Sequence, residues 1–174
     1  VYVYNASGGL LGSWTASGFT SNPLVEGITT DGTHIWIVES KADRVYYFAN
    51  AASRTSGSQA ATASFLLNSS NTSPKDLVVG SFNGIKNIWV VNDITSTSGI
   101  DRVFKYTIGT NGLSTGAAVT SWAINTSTST NKAPTGITLD PSNASQDIWI
   151  VDNTTDRVLQ FTNGRTATAP VLSA

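Results

Sequence analysis

The sequence predicts an all-β protein built from repeated four-stranded antiparallel sheets stacked about an axis. Three observations predict it. First, a near-identical block occurs three times: GITTDGTHIWIVESKADRVYYF (residues 27–48), DLVVGSFNGIKNIWVVNDITSTSGIDRVFKY (76–106) and GITLDPSNASQDIWIVDNTTDRVLQF (136–161). Repetition on this scale is the mark of stacked supersecondary units. Second, the apolar runs inside each block are short, rich in β-branched residues and bounded by turn residues, with no helical period. Third, hydrophobicity declines along each block, as a sheet with an exposed outer edge requires. A fourth, partial copy, VYVYNASGGLLGSW, opens the chain.

Each copy reads as four strands. A proline (Pro23, Pro74, Pro134) stands at the entrance, where its missing N–H does not disturb a ladder. A short innermost strand follows at Ile28-Thr29-Thr30, Leu77-Val78-Val79 and Ile137-Thr138-Leu139. Asp31-Gly32, Asn83-Gly84 and Asp140-Pro141 then supply turns. The second strand, around Trp36, Trp89 and Trp149, is apolar on both faces, as expected of a strand sandwiched between neighbouring sheets. The third strand, after Arg44, Arg102 and Arg157, alternates and reads as half-exposed. The fourth is the weakest, at residues 11–15, 63–67, 119–124 and 170–173.

Sheets of this kind describe β-propeller blades. The expected organisation is one unit over residues 1–174: an outer half-blade at 1–22 and blades at 23–73, 74–133 and 134–174. That is about three and a half blades, an incomplete ring. The chain also begins at Val1 inside a repeat, so a longer chain or a homo-oligomer is expected.

Composition narrows the function classes. Apolar residues make up 40% of the chain, enough for a core, while charged residues make up 12% and the net charge is −1. A nucleic-acid partner would need a basic stripe to neutralise phosphates, so none is expected. No apolar run is long enough to insert in a membrane. There is no Cys, which removes disulfides, Cys-ligated zinc and thiol chemistry. Abundant Ser and Thr, scarce Lys, and sequons at Asn5, Asn68, Asn71, Asn125, Asn143 and Asn153 suit an extracellular or cell-surface protein.

The third copy, with Pro134, Gly136, Ile137, Asp140, Ile148, Trp149, Val151, Asp152, Arg157, Val158, Phe161 and Gly164, resembles the NHL-type β-propeller repeat. The first copy departs from that pattern at Glu39, and the middle one at Asp76, Leu77 and Gly80. The Ser/Thr-rich copies also resemble repeats of large bacterial surface proteins. The resemblance implies a fold that hosts binding modules, scaffolds and enzymes alike. Related six-bladed propellers of the gluconolactonase type hold a divalent ion on their axis, in Glu-Gly or Asp-Gly contexts. By that resemblance Glu26, followed by Gly27, is a candidate Ca²⁺ ligand, with Asp76 placed at the equivalent position of the next copy.

Other candidates read as frame or as surface. Trp36, Trp89 and Trp149 recur at one position, which marks inter-blade core rather than a ligand-stacking set. Arg44, Arg102 and Arg157, each after an Asp, read as structural, bridging blades or bonding loop carbonyls. His34 is the one histidine, and nothing places a nucleophilic Ser beside it. The loops between second and third strands vary while the frame repeats, so Ser40, Lys41, Asp93, Thr95, Asn153 and Thr154 are the binding-loop candidates. The expected role is a non-catalytic structural, adhesive or recognition module without a required cofactor. Its partner would be a protein, a glycan or another copy, recruited through open blade edges. The alternative is a Ca²⁺-dependent lactonase-type hydrolase or lyase on a completed ring.

Overall fold

Where the sequence alternates branched apolar residues with turn signals, the chain forms strands. The computed structural model describes residues 1–94, 99–118, 120–124, 133–140, 145–166, 168 and 170–173, and no helix occurs among them. Three four-stranded antiparallel sheets follow one another along the chain, each with its strands in sequence order. Sheet II contains β4 (Val25–Thr30), β5 (Ile35–Glu39), β6 (Arg44–Phe48) and β8 (Ala63–Leu66). Sheet III contains β9 (Pro74–Phe82), β10 (Ile85–Asn92), β11 (Arg102–Thr107) and β12 (Thr120–Ala123). Sheet IV contains β13 (Pro134–Leu139), β14 (Ile148–Asp152), β15 (Arg157–Thr162) and β16 (Val171–Leu172).

Local chemistry sets the turns. Asn83 and Gly84 both carry positive φ, at 50° and 74°, which is the two-residue hairpin geometry that Asn-Gly adopts most readily. Asp31 closes the corresponding turn of sheet II by accepting the backbone N–H groups of Thr33 and His34.

The opening copy folds as half a sheet. Sheet I consists of β1 (Tyr2–Tyr4) and β2 (Leu10–Ser13) alone. Its register matches the outer half of the complete sheets: Tyr2 lies opposite Ser13 as Tyr46 lies opposite Ser64 and Phe104 opposite Ser121. One pairing has no counterpart in the sequence reading. β3 (Thr15–Ser17) runs parallel to β7 (Ser58–Ala60), so the long loop between β6 and β8 folds back onto the N-terminal segment. Gly12 permits this approach, because a Cβ there would sit 2.2 Å from the carbonyl oxygen of Thr55.

The sheets stack face to face in chain order, with a core at each junction. Period-two alternation along the second strands sends side chains both ways. Ile35 and Ile37 meet Trp14 and the rest of sheet I. Trp36 and Val38 meet Leu77, Ile88, Val90 and Phe104 of sheet III. Trp89 and Val91 meet Ile137, Ile148, Ile150 and Phe161 of sheet IV. β9 touches both β4 and β13, so the first strands of the three sheets lie side by side. Among the described residues the strands form five sheets, none of which is seen to close on itself.

Candidate functional site

The first strands meet through one carboxylate. The pairing register places Gly27 opposite Val38, Asp76 opposite Val91 and Gly136 opposite Val151, so Asp76 occupies the glycine position of the repeat. The residue equivalent to Glu26 is therefore Lys75, not Asp76, which corrects the alignment of the two candidate ligands. A Cβ on Gly27 would lie 2.8 Å from the Asp76 Cα, and one on Gly136 would lie 3.7 Å from its Oδ2. Gly27 thus makes room for the Asp76 side chain, while a Cβ on Gly136 would meet it only at ordinary contact distance. Asp76 accepts the Leu77 N–H at 2.8 Å on Oδ1 and the Ile137 N–H at 3.0 Å on Oδ2, tying sheet III to sheet IV. Burial pushes its pKa up, and the two backbone donors oppose that shift. Glu26 is exposed and accepts the Ser40 hydroxyl at 2.7 Å. Among the described residues no three His, Cys, Asp or Glu side chains gather into a metal-binding group.

A second repeated device escaped the sequence reading. Glu39, Asn92 and Asp152 end the second strands and are buried. Each accepts the backbone N–H of a residue leading into the first strand of its own sheet: Leu24, Ser73 and Ala133 respectively. The carbonyls of those same residues accept the N–H groups of Ser40, Asp93 and Asn153. Each four-stranded sheet is thus clamped where its first strand starts. Glu39 adds bonds from the N–H groups of Lys41 and Ala42, and Asp152 adds those from Thr154 N–H and the Thr155 hydroxyl. A buried acceptor that holds two or three backbone donors explains an acidic residue at an otherwise apolar strand end. The Glu39 departure from the repeat pattern keeps the carboxylate and its task.

These clamps organise the candidate binding loops. Ser40 caps Glu26, and Lys41 donates its ammonium to the Ser21 and Asn22 carbonyls. Asn153 and Thr154 are exposed, their backbones fixed by Ala133 and Asp152. Asp93 is half-buried, and burial raises its pKa against the pull of Lys75. Thr95 lies outside the described residues. Asp101 accepts the Ile94 N–H, and its pKa is raised by burial first and then by the charges of Asp93 and Asp152. Asp43 stands at φ 49° with its pKa raised by burial and by the charge of Glu39.

Two of the three repeat arginines bond within their own sheets. Arg44 donates to the Ser64 hydroxyl and Arg102 to that of Ser121, each joining third strand to fourth. Arg157, opposite Asp152 in the ladder, is exposed, and its guanidinium makes no such bond among the described residues. Among the sequons, Asn71 is buried and donates to the Tyr106 hydroxyl, so it presents no acceptor for a glycan, whereas Asn5 and Asn153 are exposed. Asn125 and Asn143 lie outside the described residues.

The sharpest contrast lies at the two ends of the stack. Val38 and Val91, on the second strands of sheets II and III, are 0% exposed; their equivalent Val151 is 45% exposed. Val45 and Val103, on the third strands, are 0% exposed; Val158 is 65% exposed. Trp36 and Trp89 are wholly buried, while Trp149 is only half-buried. Trp149, Arg157, Val158, Gln160 and Leu172 line a shallow depression of about 510 Å³ on this uncovered face of sheet IV. The sequence carried this face in the open, in the IWIV and RVLQF runs. The incomplete ring expected from the sequence implied an open end, but not that Trp149, Val151 and Val158 would line it.

No protein-family model matches the chain, and no curated protein matches it. Among solved structures, the chain is similar to a crystal structure of the extracellular domain of a B. thetaiotaomicron protein assigned as a one-component system. The two are 12% identical with a TM-score of 0.40; the match covers 99% of this chain and 27% of the other. The NHL-type and gluconolactonase-like assignment is corrected by these findings. No family of that kind matches, and the sheets observed are small and open. The shared Gly, Asp and Arg-Val positions answer to local needs instead: the glycine slot beside Asp76, the strand-end clamp and the third-strand start.

Proposed function

We propose that this chain is a non-catalytic structural or recognition module of an extracellular or cell-surface protein. It acts by stacking its apolar sheet faces on further sheets of the same repeat. The three four-stranded sheets form consecutive sectors of an open arc, with β4, β9 and β13 on its inner side. The observation that carries this reading is positional. The side chains that fill the junctions between sheets II and III and between sheets III and IV recur on sheet IV, where Val151 and Val158 are exposed. Burying a side chain of that size yields roughly 1.5–3 kcal/mol, a sizeable drive for a face built to be covered. The Ser/Thr-rich, weakly charged composition and the exposed sequons support placement outside the cell.

The test is the native mass of the wild-type chain and of Val158→Glu over a wide concentration range. Wild type is expected to form a discrete oligomer or polymer, and the variant to stay at the 18.3 kDa of a single chain. A wild-type chain that stays monomeric at high concentration would sink the stacking reading.

A further inference from the structure

The uncovered face of sheet IV is one end of the stack; the other end has a different defect. There, sheet I covers only the outer half of sheet II. Ile28 lies opposite Ile37, so both point towards sheet I. The equivalents of Ile28 are Leu77 and Ile137, opposite Val90 and Ile150. Leu77 and Ile137 are buried beneath the first and second strands of the preceding sheet, whereas Ile28 is 49% exposed. A groove of about 610 Å³ opens between the two sheets, lined by Val1, Trp14, Phe19, Val25 and Ile37 among others. Trp14 is 3% exposed, and its indole N–H has no hydrogen-bond partner among the described residues.

The backbone beside the groove is also incomplete. β1 pairs with β2 alone, while the equivalent strands β6, β11 and β15 each carry a second partner on the opposite edge. Val1 and Trp14 exchange both of their backbone hydrogen bonds, so by the period of two the Tyr2 N–H and C=O point to the free edge. Tyr2 is the counterpart of Tyr46, which lies opposite Ile37 of β5. An exposed apolar edge of this kind is a template for an added strand.

We propose that the groove between sheets I and II binds a β-hairpin of this same repeat, carried outside residues 1–174. The hairpin's second strand pairs with the free edge of β1, and its first strand covers Ile28 and Val25. The occupant's chemistry is read from the three complete sheets. The strand against β1 must be apolar on both faces, in the Ile-Trp-Ile-Val manner of β5, β10 and β14. One face then packs on Ile37 and the other replaces solvent outside sheet I. Continuity with the three complete sheets is what identifies the occupant, because the same register and the same facing residues recur there with the hairpin in place. This site is distinct from the sheet IV face, and its test does not depend on stacking there.

The experiment uses the whole chain and a synthetic peptide with the sequence of residues 134–152. Binding is followed by anisotropy of a label on the peptide, and backbone protection by hydrogen exchange. Saturable one-to-one binding is expected, with new protection of the Tyr2 amide. Tyr2→Pro removes the outward N–H without touching the β1–β2 bonds, and Ile28→Lys charges an already exposed position. Each should weaken binding at least about tenfold. Val158→Glu should leave it unchanged, which separates this site from the stacking face. Equal binding of a scrambled peptide, or binding indifferent to both variants, would overturn the proposal. So would a dimer of the chain alone that Tyr2→Pro abolishes, since a second copy would then fill the groove.

Discussion

Sheets III and IV carry nearly the same residues at the same places, yet one is covered on both faces and the other on one. Trp89, Val91 and Val103 are fully buried against sheet IV, whereas Trp149, Val151 and Val158 face outward. The apolar pattern of a strand therefore records what its face is built to meet, not what it meets in this chain. Because the period of two sends side chains alternately to both sides, a repeat with two apolar faces is an interface on each. Whether the interface is filled depends on the neighbour.

The largest expected difference comes from truncating equivalent tryptophans. Trp89→Ala should cost about 3–5 kcal/mol, the range for a large aromatic removed from a packed core. Trp149→Ala should cost far less in the monomer, because part of that ring already meets water. Denaturant midpoints at equal slopes measure both, and equal losses would mean that sheet IV is covered after all. The strand-end clamps give the next effect. Glu39→Ala strips the acceptor from the N–H groups of Leu24, Lys41 and Ala42, whereas Asn92→Ala strips it from Ser73. These donors are only partly buried, so each loss falls short of the roughly 1–3 kcal/mol of a fully buried unpaired donor, but three losses against one should make Glu39→Ala the more damaging of the two. Thermal unfolding of the pair decides it.

The smallest effect is a pH dependence at the junction of the first strands. The pKa of Asp76 is raised from 3.8 in the folded chain, chiefly by burial. The folded state then holds its proton more tightly than the unfolded state does. The contribution of this group to stability is full below about pH 3.8 and is lost as pH rises through the folded value. Asp76→Asn should flatten that part of the stability profile. It should also leave any response to added Ca²⁺ unchanged, since both oxygens of Asp76 already accept backbone N–H groups. A Ca²⁺-induced rise in Tm that disappears in Asp76→Asn would support the metal reading.

Much of the frame was legible because it is local. The β-branched runs, the Asn83-Gly84 turn and the two-sided second strands declare themselves through spacing alone, and they form the three antiparallel sheets. The parallel β3–β7 pair was not legible, since Thr15-Ala16-Ser17 and Ser58-Gln59-Ala60 have no apolar pattern and meet only because Gly12 lets the segments approach. The structural role of Asp76 was not legible for a related reason. Its neighbour Gly27 belongs to another repeat, and the vacant Cβ position there exists only in three dimensions. Glu39 looked like a departure from the pattern, yet its carboxylate serves the clamp as Asp152 does. The family resemblance rested on such positions, and they proved to be requirements of the sheet.

The most direct test of the central claim is the fluorescence of Trp149, taken as the difference between wild type and Trp149→Phe, over a dilution series with acrylamide. The account predicts a red-shifted, quencher-accessible Trp149 in the dilute monomer, moving to the blue and out of reach as the chain is concentrated and its mass grows. A Trp149 signal that stays unchanged while the mass grows would place the association elsewhere. One already blue and protected in the dilute monomer would contradict the open face itself.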